Sequence, residues 1–274
     1  MGAIFALTAL MASAQEKQLV ILHTNDTHST IKQVNPNLND KNVAGRGGFI
    51  RRLELLRQQR ELCPDLLYFD SGDFCQGSTY FSLFKGDVEI GLMNMMGIDA
   101  ATIGNHEFDF GLENMARMFR MAKFPIVCAN YDFTGTPVEG LVKPYVIIKR
   151  NGVRIGVFGL SPKMDGLVEK ANFEGVGFLD PVQKGREVAE LLKLKKKCDM
   201  VICISHLGWN TDQPDDDDLI KGSRFIDLVL GGHSHSYFKE LMLVTDEDGH
   251  DVAIDQNGKH GAWIGKMVVR LNKK

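Results

Sequence analysis

Five short stretches join an apolar run directly to residues able to hold a cation or move a proton. They are Asn25-Asp26-Thr27-His28, Asp70-Ser71-Gly72-Asp73, Gly104-Asn105-His106-Glu107-Phe108-Asp109, Ser205-His206 and Gly231-Gly232-His233-Ser234-His235. The donors are carboxylate, imidazole and amide, with no thiolate. That set suits borderline or hard divalent ions such as zinc, manganese or iron, and does not choose among them. Two ions about 4 Å apart need a bridging carboxylate. Asp73 is the best placed, because Gly72 beside it lets backbone approach closely. Taken singly, each stretch has a plainer use. An Asp-x-His turn is usually a capped loop, and His233 and His235 share one face of an extended segment that could sit on a wet edge. Five such ends in one chain are not explained that way. Asp70 reads as a turn cap and is left out of the ligand set, and His23, His250 and His260 read as structural or surface residues.

The elements that must position these groups alternate. Residues 19–22 form a strand-like run, and residues 45–63 follow with helical spacing that puts Phe49, Leu53 and Leu56 on one face. Residues 66–70 and 99–103 read as further strands, with helices at 86–96 and 111–122 and a fourth strand at 124–132. Asn151-Gly152 between two apolar runs predicts a type I′ hairpin. Asp180 and Pro181 predict an N-cap and first turn for a helix running to Lys196, with Lys193 and Lys195 to Lys197 at its end. Two more strands end in histidine at 206 and 233. The tail predicts a short antiparallel meander, and the acidic run 212–218 a solvated loop without EF-hand spacing. In open α/β sheets, sites form beyond the carboxyl ends of the strands. Five strands feeding one edge would gather the donors.

The chain has 274 residues, 44% of them hydrophobic, enough for a sizeable core, and no repeat or linker divides it. Its net charge of -3 gives no electrostatic reason to expect nucleic acid or an anionic membrane as a partner. The five cysteines contain no CxxC pair and read as small core residues. Residues 4–11 are apolar and lead into Ala12-Ser13-Ala14, so residues 1–14 read as a signal peptide with its basic n-region missing and Gln15 first in the mature protein. No stretch reaches the ~18 apolar residues of a membrane span. The expectation is an exported protein, periplasmic or extracellular.

The stretches "ILHTNDTHS", "DSGDFCQGS", "TIGNHEFDFG", "ISHLGW" and "GGHSHS" resemble the calcineurin-like metallophosphoesterases, and within them the N-terminal catalytic domain of the periplasmic and secreted 5′-nucleotidases. The match runs from Ile21 to Ser236. It implies a four-layer α/β fold, a two-sheet β-sandwich flanked by helices, with a dinuclear metal site at the strand ends. One ion would take Asp26, His28, Asp73 and His235, and the second Asp73, Asn105, His206 and His233. His106 and Asp109 would form the catalytic dyad, with Glu107 supporting the turn. The implied reaction is hydrolysis of nucleotides or related phosphomonoesters without a covalent intermediate. Hydrolysis of cyclic phosphodiesters or nucleotide-sugar pyrophosphates on the same fold is an alternative. A metal-binding subunit without activity is another, disfavoured by the dyad. Family members continue into a nucleotide-binding domain. The expectation is therefore that residues 15–274 form one catalytic domain, and that a separate substrate-binding chain docks near Phe74, Phe110, Tyr237 and Phe238. Taken one at a time, each of these aromatics reads more readily as core.

Overall fold

The computed structural model describes residues 17–271. The signal-peptide reading of residues 1–14 lies outside them. In chain order the elements are β1 (Lys17–Thr24), α1 (Phe49–Leu62), β2 (Leu67–Asp70), α2 (Thr79–Phe84), α3 (Asp87–Met96), β3 (Ala100–Ala101), α4 (Gly111–Met121), β4 (Ile126–Val127), β5 (Tyr131–Asp132), β6 (Val142–Lys143), β7 (Tyr145–Arg150), β8 (Val153–Leu160), β9 (Gly177–Phe178), α5 (Pro181–Glu190), β10 (Met200–Ser205), α6 (Asp216–Lys221), β11 (Leu228–Leu230), β12 (Met242–Thr245), β13 (Asp251–Asp255) and β14 (Gly265–Leu271). One six-stranded sheet has the order β14-β1-β2-β3-β4-β6 and the other β12-β13-β11-β10-β8-β7, with β5 and β9 pairing apart.

Both sheets are mixed. Strands β1 to β4 run parallel with β14 antiparallel at one edge, while β8, β10, β11 and β13 run parallel between antiparallel β7 and β12. Alternation along each strand explains the layering. Leu19 and Ile21 of β1 face Ile155, Val157, Ile202 and Leu230 in a core between the sheets. Val20 and Leu22 face the other way, onto α1, α3 and α4 through Leu56, Ile90 and Met115. Phe158 and Leu160 of β8 likewise face α5 and α6 through Val188 and Leu219. Both faces of each sheet are covered, which is why the central strands read as unbroken apolar runs. The α/β expectation of a two-sheet sandwich flanked by helices is met.

Local signals hold where they were strongest. Asn151 (φ 49°) and Gly152 (φ 69°) turn the β7–β8 hairpin. Asp180 caps α5, accepting from the amide of Gln183, with Pro181 in the first turn, and Leu191–Lys195 extends it as a π-helical turn. All five cysteines are free, four of them buried. Two readings need correction. The tail is not a simple meander: β12 and β13 complete the second sheet, while β14 crosses to the first and satisfies the open edge of β1. The acidic run is not a solvated loop. Asp215 caps α6 by a capping box, and Asp216 in its first turn is wholly buried. An acidic first turn complements the helix dipole, so the cluster starts a helix.

Candidate metal centre

The parallel strands end in register. Thr24 pairs with Asp70 and Asp70 with Ala101 in the first sheet; Ser205 pairs with Leu160 and Ile204 with Leu230 in the second. Beyond the ladder the loops remain side by side. The amides of Asp26, His28 and Ser29 donate to the carbonyls of Gly72, Asp73 and Phe74 at 2.9, 2.9 and 3.0 Å. Asp26 (φ 48°), His28 (43°), Asp73 (53°), His233 (69°) and His235 (54°) all have left-handed backbone. Side-chain-bearing residues rarely adopt it, and such strain gathers at functional sites. Here it turns successive side chains into one space instead of alternating them across a sheet.

That space gathers residues far apart in sequence. Asp26 Oδ1 stands 3.4 Å from His235 Nε2. The Nε2 atoms of His28 and His235 point at each other 3.0 Å apart. Two nitrogens ~2.1 Å from one ion would stand roughly 3.0–3.4 Å apart. Asp73 Oδ2 lies 3.2 Å from His206 Nε2. Three groups have donor atoms mutually within 4.8 Å: Asp26, His28 and His235; His28, Asp73 and His106; and Asp73, His206 and His233. Asp73 and His28 each belong to two of them, so the groups are contiguous. The side-chain oxygen of Asn105, Nε2 of His206 and Nδ1 of His28 are buried without a hydrogen-bond partner. Buried polar atoms are normally paired, and of these His206 Nε2 stands beside the Asp73 carboxylate. The donor set therefore fits divalent cations.

The electrostatics agree. Burial opposes protonation of His206, yet the charges of Asp73 and Asp26 outweigh it and push the imidazole up to about 10. Burial and the neighbouring His206 push His233 down to about 4. Burial also disfavours charge on Asp26 and Asp73, but the surrounding imidazoles hold both below the usual carboxylate range. Two carboxylates held ionised among imidazoles make a site that favours positive charge. His206 Nδ1 is 2.6 Å from the Ser71 carbonyl oxygen, which fixes the ring and leaves Nε2 toward the carboxylates.

A second arrangement flanks the first. His106 Nδ1 lies 3.1 Å from both oxygens of Asp109, and the two side chains are 28% and 30% exposed. Burial opposes protonation of His106, but this hydrogen bond and the nearby carboxylates raise its pKa. The His106 amide also donates to Asp73 Oδ1 at 2.9 Å, tying the two arrangements together. Glu107 points inward beneath the turn. It accepts from the amides of Asp73, Gly104 and Cys75 at 3.0, 2.6 and 3.1 Å. Burial and the charge of Asp73 push it up to about 7. Asn172 donates from a distant loop to the Asp109 carbonyl at 3.0 Å.

Every residue singled out as a ligand or catalytic group lies in this region. Asp70 is buried beneath it, accepting from Thr24 and from the Gly72 amide. His250 is exposed, and His23 is buried against Asp255. His260 was read too simply. Its ring centroid is 5.7 Å from that of His28, its amide donates to the Asp26 carbonyl at 2.7 Å, and burial pushes its pKa down to about 4. Asn25 was missed as well: it donates to Asp26 Oδ2 at 2.6 Å and to the Gly258 carbonyl. His260 has no local signal beyond its type, whereas Asn25 stands beside Asp26 in the first of the five stretches; the crossing segment before β14 brings His260 and the Gly258 carbonyl to them. Of the four aromatics near the edge, Phe74 is core, and Phe238 packs on Trp209. Phe110 and Tyr237 remain partly exposed.

The family model for calcineurin-like phosphoesterases matches residues 19–237. The 5′-nucleotidase of Bos taurus is 31% identical over 99% of this chain and 50% of that protein. Among solved structures, the 5′-nucleotidase precursor of Thermus thermophilus superposes with a TM-score of 0.83 at 28% identity, covering 92% of this chain and 51% of that one. The calcineurin-like phosphoesterase YfkN of Bacillus subtilis gives 0.75 at 27% identity, covering 94% and 86%. The chain spans about half the length of the curated relatives it matches.

Proposed function

The chain belongs to the calcineurin-like phosphoesterases, and from that footing we propose that it is a metal-dependent phosphomonoesterase of the 5′-nucleotidase kind, releasing phosphate from nucleotides. The observation that carries the proposal is the contiguity of the donor groups through His28 and Asp73. In this reading Asp26, His28, Asp73 and His235 hold one divalent ion, and Asp73, Asn105, His206 and His233 a second. Such ions supply Lewis acidity toward a phosphoryl oxygen and a lowered water pKa. The protein's own chemistry falls to His106. Asp109 engages its Nδ1 and favours the imidazolium, leaving Nε2 to present a proton to the phosphoryl or leaving oxygen. Glu107 holds the Asp73 and Gly104 amides, so the shared carboxylate and the dyad keep their spacing.

The apolar stretch before Gln15 supports export as part of this proposal. Among the described residues no helix is long and apolar enough to cross a membrane. Phe110 and Tyr237, partly exposed beside the site, support a further substrate-covering element on another stretch of polypeptide, which a companion chain would carry. The decisive experiment is Asp73→Ala. Both ions should be lost, and phosphomonoesterase activity should fall by ~10³-fold or more as two ligand sets open together. A purified Asp73→Ala protein that keeps two tightly bound ions would refute the shared carboxylate.

A further inference from the structure

Glu89 lies in the first turn of α3, where an acidic residue suits the helix dipole. Its neighbour Asp87 does this from the surface, paired with Arg117. Glu89 instead turns inward and is buried. A buried carboxyl group is costly unless hydrogen bonds compensate it. No step of the chemistry above uses this one. Its Oε1 accepts from the hydroxyl of Ser29, the residue after His28. Ser29 has a single hydroxyl proton, so the Ser78 hydroxyl that meets it must be the donor of that pair. Ser78 Oγ in turn accepts from the amides of Tyr80 and Phe81 at 3.1 and 3.3 Å, capping α2. Every proton of this chain points toward Glu89, the acceptor at its end.

Glu89 also lines a small interior cavity, together with Thr27, Ser29, Arg52 and Tyr68. Its volume of about 20 Å³ has room for one water. Glu89 Oε2 and Arg52 Nε are buried without a hydrogen-bond partner among the described residues. Arg52, from α1, donates to the Thr30 carbonyl at 3.4 Å. A buried carboxyl group on α3 and a buried guanidinium on α1 therefore grip the two residues that follow His28. That segment needs holding. His28 (φ 43°) and Ser29 (48°) are consecutive left-handed residues, and neither is glycine. Such backbone persists only where surrounding contacts over-determine it. The amides of both residues bond to the neighbouring loop at the Asp73 and Phe74 carbonyls, and the Ser29 hydroxyl adds a tie to a helix.

We propose that Glu89 is a positioning residue for the candidate metal centre: through the Ser29 hydroxyl it holds the left-handed turn that brings His28 Nε2 to 3.0 Å from His235 Nε2. The inference rests on the metal-dependent reading above, in which His28 serves one ion and not the other. Asn105, His206 and His233, proposed for the second ion, stand on the loops after β3, β10 and β11. Loss of Glu89 should therefore weaken one ion and spare the other.

The test uses the whole protein titrated with Mn²⁺ alone, the two affinities being followed by electron paramagnetic resonance. Glu89→Leu keeps the bulk and removes the acceptor. It should weaken one Mn²⁺ by at least about tenfold and leave the other unchanged, as loss of a group that orients a metal ligand does. Glu89→Gln should bind both ions as wild type does, because its amide oxygen still accepts from Ser29. Ser29→Ala should reproduce Glu89→Leu, and the two changes combined should weaken the ion no further, since they act in series. If Glu89→Leu does not fold, Ser29→Ala carries the same expectation alone. Ile90→Ala, a core truncation on the same helix, should lower Tm and leave both affinities intact. Several results would overturn the positioning role while leaving the metal-dependent reading standing. They are unchanged affinities in both single variants, equal weakening of both ions, the same selective loss in Ile90→Ala, no rescue by Glu89→Gln, or a further loss in the combined variant. Wild type that binds fewer than two ions would overturn the two-ion reading, and the positioning role with it.

Discussion

Gly72→Ala tests whether the spacing of the two strand-end loops controls the site. Gly72 has φ +85°, and a methyl added there would lie 2.6 Å from the Gly104 amide nitrogen, 2.9 Å from the Ile103 carbonyl carbon and 3.0 Å from His206 Nδ1. Ordinary contacts begin near 3.4 Å, so the loops must separate by roughly 0.8 Å. Two costs follow. The left-handed backbone costs an alanine ~1–2 kcal/mol. Overpacking against backbone, which cannot swing away as a side chain would, adds ~1–3 kcal/mol. Gly135 isolates the first cost, because it has φ +76° with nothing within 4 Å of the added methyl. Urea denaturation should therefore show Gly135→Ala losing about 1–2 kcal/mol and Gly72→Ala about 2–5 kcal/mol. The separation falls between Asp73 and Asn105, so kcat/KM should drop by ~10²-fold in Gly72→Ala, as displacements near 1 Å do. Gly135→Ala should keep full activity. If the two variants lose equal stability, and Gly72→Ala keeps both its activity and its metal content, close loop approach is not what positions the shared carboxylate.

Two further outcomes are expected. His106→Asn should lower kcat by about 10²–10⁴-fold with metal content nearly unchanged, measured by turnover and elemental analysis; loss of metal would move His106 into the ligand set. Asp216 is wholly buried, and burial pushes its carboxyl up to about 7. A raised folded pKa gives stability that is full below the unfolded value and lost as pH rises through the folded one. Metal-free wild type should therefore lose up to ~4 kcal/mol between about pH 4 and 7 from this group. Asp216→Asn should flatten that segment of the stability–pH curve and raise Tm at pH 8, and parallel curves for the two proteins would contradict the assignment.

The sequence alone determined the kinds of element and the chemistry offered at their ends. Periodicities of two and of three to four residues are local properties, as are the Asn151-Gly152 turn and the Asp180 cap, so they are legible without knowing what packs where. The donors of the candidate centre were legible for the same reason: each sits immediately after a buried run, where polar side chains need partners. Tertiary structure decided which donors meet. Asp26 approaches His235 across the gap between two sheets, and nothing within either segment specifies that contact. It also buried Asp216 and sent β14 to the other sheet, bringing His260 beside His28 and the Gly258 carbonyl to Asn25. These features depend on burial and on contacts between residues remote from each other in the chain. Their energies come from how the sheets stack and how their edges are closed, and a residue's neighbours in sequence carry no record of that.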